Sequence, residues 1–184
     1  DRDATPLIDA GLPVLLTGGD MLRTLGGSGA SPSQANEGVC VTLDVMRVNL
    51  GGATFTGLSH VVVRRPWWRG GPLRGRVLLM MNAQYMGDRD LAPRGHPNDG
   101  RMEVVEVDPS TGVRQRIQAW MRARTGTHLP HPSIAVRPAT SLRASVDDHR
   151  SVVIVDGVRV GIIDRAQSEI AVEVDGDAAV VWYV

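Results

Sequence analysis

Residues 151–163 have the sequence Ser-Val-Val-Ile-Val-Asp-Gly-Val-Arg-Val-Gly-Ile-Ile, in which two short apolar runs flank one Asp-Gly pair. Val and Ile carry branched β-carbons, which favour extended strands over helices. Asp156-Gly157 provides two residues that tolerate the positive φ angles of a tight hairpin turn. The stretch therefore predicts an antiparallel hairpin with strands over 151–155 and 158–163.

The same pattern recurs along the chain. Residues 169–174, Glu-Ile-Ala-Val-Glu-Val, alternate polar and apolar side chains, which is typical of a strand with one buried and one hydrated face. The other predicted strands cover 40–50, 53–64, 75–83, 101–107, 133–137, 141–147, 168–174 and 178–183. Hairpin turns are expected at Gly51-Gly52, Gly70-Gly71, Asp99-Gly100 and Asp175-Gly176. Many short strands joined by tight turns predict a mainly β (α+β) protein built as a β-sandwich.

Two segments predict helices. Residues 19–26 follow the strand-like run 14–16, which gives the sandwich a short strand-helix lead-in. Residues 112–124 form the one longer helix, which begins at an N-cap, Ser110 or Thr111, and stops at Gly126. Its apolar residues recur at helical spacing: Val113, Ile117, Trp120 and Met121. Its arginines are distributed around the helix, which predicts a solvated face: Arg114, Arg116, Arg122 and Arg124.

Length and charge exclude several classes of protein. The 184 residues include 20 acidic and 20 basic ones, every basic residue is Arg, and the formal net charge is zero. This balance argues against a nucleic-acid-binding protein, which normally carries a basic excess. The single cysteine excludes a disulfide within the chain. No apolar segment reaches the roughly 18 residues of a membrane span, so a cytoplasmic location is expected, with peripheral membrane contact as an addition.

Two short segments have the residue types of a ligand site. Thr17-Gly18-Gly19-Asp20 lies at a strand-to-helix turn, where free backbone N–H groups can face a phosphate. The alternative is that Asp20 caps an ordinary helix. Asn98-Asp99-Gly100 offers oxygen ligands that suit Mg²⁺ or Ca²⁺, although the same residues are typical of a plain turn.

Taken in order, these segments resemble the diacylglycerol kinase-like lipid kinases of bacteria, which share their architecture with NAD kinases. The resemblance runs from about Pro13 to the C-terminus. It rests on Leu16 through Gly26, Asn82 to Gly87, Ala92-Pro93, Asn98-Asp99-Gly100 and Asp156-Gly157-Val158.

The resemblance implies an N-terminal α/β nucleotide domain followed by a C-terminal β-sandwich. Residues 1–36 would then be the end of the nucleotide domain and a linker, and residues 37–184 the sandwich. Mg²⁺ would be bound by the Asp99 carboxylate and the main-chain oxygens of His96 and Arg101. ATP would contact Thr17, Gly18, Gly19 and Asp20, together with a Gly-Gly-Asp-Gly-Thr motif that this sequence does not contain.

The departures from the family pattern fall on the kinase chemistry. The family's general base is the Glu of an Asp-Gly-Glu element, and Val158 stands at that position. A hydrocarbon side chain accepts no proton. Gly19 replaces an Asn and Leu16 a Gly of the nucleotide segment.

The resemblance therefore implies a lipid-kinase-like protein without autonomous phosphotransfer that acts as a binding or regulatory domain. The alternative is an ATP-dependent lipid kinase whose nucleotide-binding half lies outside this chain or comes from a partner, a second copy included. An unrelated hydrolase would need a nucleophile paired with a His, and no such motif stands out.

One arginine-rich segment predicts a contact with an anionic surface such as a lipid bilayer. Residues 64–76 contain five arginines, a Trp pair and no acid. Arginines bind phosphate or lipid headgroups, and Trp favours the membrane interface. The alternative is a solvated strand end with the Trp pair packed inward. The predicted patch consists of Arg64, Arg65, Trp67, Trp68, Arg69, Arg74 and Arg76.

Overall fold

The computed structural model describes residues 2–29, 38–145, 150–164 and 169–184, and strands dominate it. Its strands are β1 (Val14–Leu15), β2 (Val39–Leu50), β3 (Ala53–Gly57), β4 (His60–Arg64), β5 (Val77–Met81), β6 (Tyr85–Met86), β7 (Arg89–Asp90), β8 (Met102–Val107), β9 (Ile134–Ala139), β10 (Ser141–Ser145), β11 (Ser151–Val155), β12 (Val158–Ile163) and β13 (Glu169–Tyr183). Its α-helices are α1 (Thr5–Asp9), α2 (Asp20–Thr24) and α3 (Val113–Arg122). Short 3₁₀ helices cover Arg2–Ala4, Trp67–Arg69, Gly71–Leu73 and Ala123–Thr125.

The predicted hairpin is part of a six-stranded sheet, in the order β12-β11-β4-β5-β8-β9. Val155 pairs with Val158 across the turn. Asp156 and Gly157 have φ angles of 45° and 82°, which fits the turn type that the Asp-Gly pair predicts. This sheet confirms the mainly β prediction.

The second sheet has the order β1-β13-β2-β3, with β10 also paired to β13. Its longest strand corrects the prediction of two strands, 168–174 and 178–183, around a turn at Asp175-Gly176. Residues Glu169–Tyr183 form one strand that pairs with β2 throughout, and a register shift between Asp175 and Ala179 absorbs the extra residues. The Asp-Gly pair therefore lies at a β-bulge, in which the following residue, Asp177, has a positive φ of 54°.

Three other turn and strand predictions are wrong. The run 53–64 is two strands, because β3 belongs to one sheet and β4 to the other. Gly70-Gly71 separates two 3₁₀ helices, and Asp99-Gly100 lies in a loop before β8, so neither pair closes a hairpin. In contrast, Gly51-Gly52 does connect the paired strands β2 and β3.

The main core lies between the two sheets, which pack face to face. It includes Met46, Val48 and Ile170 from one sheet and Val61, Met80, Val104 and Val153 from the other. Alternate residues of β2 face opposite sides, so Leu43 and Val45 pack against the N-terminal segment in a second core with Ile8, Val14, Met21 and Leu22. The strand-helix lead-in is therefore attached to the sandwich. The predicted boundary between residues 36 and 37 lies outside the described residues.

The longer helix is present, but it differs from its prediction at both the cap and the surface. Gly112 is the N-cap residue, and its N–H donates to the Gln115 side chain, so neither Ser110 nor Thr111 caps α3. Arg116 is buried, which corrects the prediction of a solvated position. The apolar residues at helical spacing are exposed instead: Val113, Ile117, Trp120 and Met121.

Candidate functional site

Sequence elements that are far apart converge on the connection Leu58-Ser59-His60, where the chain passes from one sheet to the other. Asp156 is buried, and its carboxylate accepts hydrogen bonds from the backbone N–H groups of all three residues: Leu58 at 2.7 Å, and Ser59 and His60 at 2.9 Å each. The Asp156 N–H donates in turn to the His60 carbonyl. Asp156 therefore fixes the path of this connection.

Asn82, the residue that follows β5, contacts the same connection. Its side-chain amide donates to the Leu58 carbonyl at 2.9 Å and to the Asp44 carbonyl at 2.7 Å. Its backbone N–H donates to the Ser59 carbonyl. Asn82 is itself buried, and its amide nitrogen satisfies two backbone carbonyls that would otherwise lose their hydrogen bonds on burial.

Asp20 approaches from the start of α2. One carboxylate oxygen accepts the Gly87 N–H at 2.7 Å, and the other lies 3.5 Å from Nδ1 of His60. Asp20 is the first residue of the helix, and Gly19 is the N-cap residue without a side-chain cap, so the capping alternative for Asp20 is wrong. Arg23 adds a second link, since its guanidinium donates to the Gly87 carbonyl at 2.7 Å.

The other residues of the predicted nucleotide segment remain at the surface. Thr17, Gly18 and Gly19 are exposed, and α2 is only five residues long. The structure therefore brings Asp20, Asn82, Gly87 and Asp156 around one connection and leaves Thr17 through Gly19 beside it. ATP contact at these four positions stays a prediction.

Asp44 is a buried acid that the sequence analysis missed, and it joins the Asp99 turn to this cluster. Its carboxylate accepts the Gly100 N–H at 2.6 Å and the Asp177 N–H at 3.0 Å, on the bulge of β13. Its backbone N–H donates to the Pro97 carbonyl at 2.7 Å. The only sequence signal was one carboxylate inside the apolar run 41–48.

The predicted metal turn offers few ligands. Oδ1 of Asp99 accepts the N–H of Arg101 at 3.0 Å, and His96, Asp99 and Arg101 are all exposed. Burial and the nearby Asp99 charge raise the pKa of the Glu103 carboxyl. In the part of the chain that the structure describes, no three His, Cys, Asp or Glu side chains come together as a metal site. The donor set that remains, one carboxylate with main-chain oxygens, fits a hard cation at modest affinity.

Replacing Asp99 by Ala tests the metal prediction. We expect millimolar Mg²⁺ to raise the melting temperature of the wild-type protein, and we expect Asp99→Ala to abolish that rise because the only anionic donor of the turn is gone. Asp108→Ala is the matched control, since Asp108 accepts the N–H two residues ahead in the same way and is also exposed. An identical Mg²⁺ response in all three proteins would show that the Asp99 turn is only a turn.

Val158 is the first residue of β12 and pairs with Val155. It therefore lies at the end of the hairpin, beside the buried Asp156. Both oxygens of Asp156 are occupied by backbone N–H groups, and His60 is buried. Asp156 therefore does not offer the free atom that a general base needs.

The arginine and tryptophan patch is partly engaged in the protein. Trp67 and Trp68 are 68% and 69% exposed, so the alternative that they pack inward is wrong. Arg64 is partly buried, with its guanidinium 4.5 Å from the centre of the Trp67 ring, and burial lowers its pKa. Arg76 pairs with Glu106 at 2.7 Å. Arg69 and Arg74 are exposed, and Arg65 is half-buried.

Comparison with known proteins gives a structural match only. The sequence matches no protein-family model and no curated protein. A solved structure described as a diacylglycerol kinase from Bacillus anthracis str. Sterne superposes with a TM-score of 0.60 at 15% identity, over 94% of this chain and 67% of that one. Two further structures from the same strain, assigned provisionally to the same class, give TM-scores of 0.61 and 0.64 at 16% and 14% identity. They match over 94% of this chain and 68% and 69% of theirs.

The chain has the diacylglycerol kinase fold. At this identity the likeness establishes the architecture, which confirms the predicted sandwich with its strand-helix lead-in and one longer helix. It does not extend to substrate or activity. Among the described residues, no helix of this diacylglycerol kinase-like fold is long and apolar enough to cross a membrane.

Proposed function

We propose that this chain is a lipid-kinase-like domain that binds a ligand or regulates a partner and does not transfer phosphate on its own. The observation that supports the proposal is Val158, a hydrocarbon at the position where the resemblance places a general base. The polar groups around it serve the fold: Asp156 accepts three backbone N–H groups, and Asp20 accepts that of Gly87. The kinase architecture thus persists while the group that would deprotonate a lipid hydroxyl is missing.

A second candidate is an ATP-dependent lipid kinase whose nucleotide-binding half lies outside this chain. It is favoured by the coverage of the structural matches, because 31% to 33% of each kinase has no counterpart in this chain. Mg²⁺ at Asp99 would then neutralise phosphate charge. In that case the nucleotide site would be completed by a second chain or a further segment, and another residue would have to act as the base.

A phosphotransfer assay tests the proposal. The purified chain, given Mg²⁺-ATP and diacylglycerol in mixed micelles, should form no phosphatidic acid above the protein-free rate, because the loss of a general base alone costs about 10²- to 10⁴-fold. Robust Mg²⁺-dependent turnover would overturn the proposal. Val158→Glu is compared with Val158→Gln, which has nearly the same shape but accepts no proton. Turnover by the Glu variant alone would show that only the base is missing.

A further inference from the structure

One face of α3 is apolar and exposed, although helical spacing usually marks a buried face. Val113, Ile117, Trp120 and Met121 lie within one stripe of the helix, and each is at least 38% exposed. The buried residues of this region are others, Arg116, Ala119 and the following Ala123, and Ala123 packs in a core cluster with Met81 and Val105. Soluble monomers seldom expose a contiguous apolar patch of this kind without using it.

The Trp67-Trp68 turn lies beside α3. Arg116 connects the two parts, because its guanidinium donates to the carbonyls of Pro72 and Gly75 as well as to those of Thr111 and Asp108 beside its own helix. The 3₁₀ helix Gly71–Leu73 contacts α3, and Leu73 is exposed next to it. A Cβ at Gly71 would lie 2.7 Å from the Trp67 ring, so the indole packs closely on this turn.

The two segments that form this surface carry only positive charge, while acids on neighbouring elements pair with or lie near three of their arginines: Glu106 with Arg76, Asp88 with Arg124, and Asp108 near Arg116. Residues 64–76 and 109–124 contain nine of the 20 arginines and no Asp or Glu. Four of these arginines are exposed and have no ion pair with any residue that the structure describes: Arg69, Arg74, Arg114 and Arg122. In a chain with zero net charge, this concentration produces a local positive potential beside the apolar stripe.

We propose that the Trp67-Trp68 turn, Leu73 and the exposed stripe of α3 form a docking surface for an anionic lipid bilayer. Trp and apolar residues would enter the headgroup boundary, and the four unpaired arginines would contact lipid phosphates. A second copy of the chain is a poorer occupant. A two-fold symmetric contact would bring the arginine-rich surfaces of both copies together, and like charges would repel.

Sedimentation with unilamellar vesicles tests the docking surface. The wild-type protein should bind phosphatidylglycerol vesicles at low salt, bind more weakly at physiological salt, and bind phosphatidylcholine vesicles poorly. Arg69→Ala/Arg74→Ala should lower the partition coefficient about 30-fold, since each arginine near an anionic leaflet contributes about fivefold. The matched control is Arg137→Ala/Arg159→Ala, which removes two exposed arginines from the strands β9 and β12.

The apolar contribution needs its own variants. Ile117→Ser/Met121→Ser should weaken vesicle binding on the order of tenfold, because less apolar surface enters the membrane. Trp182→Ser is the control, since Trp182 and Trp120 are 46% and 47% exposed but Trp182 lies on β13. Trp182→Phe leaves tryptophan only at positions 67, 68 and 120, so quenching of its fluorescence by brominated phosphatidylglycerol reports insertion of this surface.

Three results would overturn the inference: no vesicle binding at low salt, equal loss in the two double-arginine variants, or unquenched fluorescence in the bound Trp182→Phe protein. Sedimentation velocity without lipid could give a fourth result of this kind. A concentration-dependent dimer that Ile117→Ser/Met121→Ser dissolves would assign the stripe to a contact between copies. Circular dichroism melting of every variant separates loss of binding from loss of fold. Phosphotransfer plays no part in these measurements, so their outcome is independent of the proposed function.

Discussion

Asp156→Ala should lower the free energy of unfolding by about 3 kcal/mol or more, since each of three buried donors left without a partner costs about 1 to 3 kcal/mol. The three donors are the N–H groups of the connection Leu58-Ser59-His60, which is buried along its length. Water cannot replace the carboxylate there without opening the structure. A domain of this size has only about 5 to 15 kcal/mol of stability, so the substitution would remove a large fraction of it.

Urea denaturation followed by circular dichroism measures this loss. Asp177→Ala is the matched control, because Asp177 also has a positive φ, of 54°, but it is exposed and accepts one hydrogen bond, from Thr42. Both variants replace an Asp, which tolerates positive φ, by an Ala, which tolerates it less, so the difference between them isolates the buried acceptor. Asp156→Asn keeps an acceptor oxygen, so its free energy of unfolding should fall clearly less than that of Asp156→Ala. Equal stability of the Asp156→Ala and Asp177→Ala proteins would contradict the structural role of Asp156.

Strands were predictable wherever the signal was local. The hairpin over 151–163 needs only branched residues and a pair that accepts positive φ, and the structure forms it as predicted. The same pair at Asp175-Gly176 forms a bulge, because the deciding partner is on another strand. Asp44 accepts the Asp177 N–H and holds β13 against β2. No pattern within 168–183 contains that information.

The orientation of α3 was not predictable for a related reason. Helical spacing shows which residues share a face, and it does not show which face packs. The carbonyls that receive the Arg116 guanidinium include those of Pro72 and Gly75, 44 and 41 residues earlier in the chain. Those contacts bury an arginine and turn the apolar stripe toward solvent.

The candidate site was found through its side chains and missed where it consists of backbone. Asp20, Asn82 and Asp156 belong to the segments that carry the resemblance, and the structure brings them to one place. The connection on which they converge contributes mainly N–H and C=O groups, which every sequence provides. His60 could have been noticed only as one polar residue between Ser59 and a run of valines.

Arg116→Leu is expected to have the second largest effect, a loss of about 3 kcal/mol or more in the free energy of unfolding. Hydrogen bonds from a charged donor contribute about 1.5 to 3 kcal/mol each, and the guanidinium makes four, to the carbonyls of Thr111, Pro72, Gly75 and Asp108. Burial lowers the pKa of Arg116. The four carbonyls compensate for this burial, because they replace the hydration that the guanidinium has lost.

Urea denaturation of Arg116→Leu, Arg116→Lys and Arg114→Leu provides the test. Arg114 is the control because it is exposed two residues away on the same helix, and its loss should change stability by less than about 0.5 kcal/mol. Lysine should restore only part of the lost free energy of unfolding. Its single ammonium group cannot reach four carbonyls that are arranged around a planar guanidinium. Equal stability of Arg116→Leu and Arg114→Leu would show that water can hydrogen-bond these carbonyls as well as Arg116 does. The connection between α3 and the Trp67-Trp68 turn would then rest on apolar contacts alone.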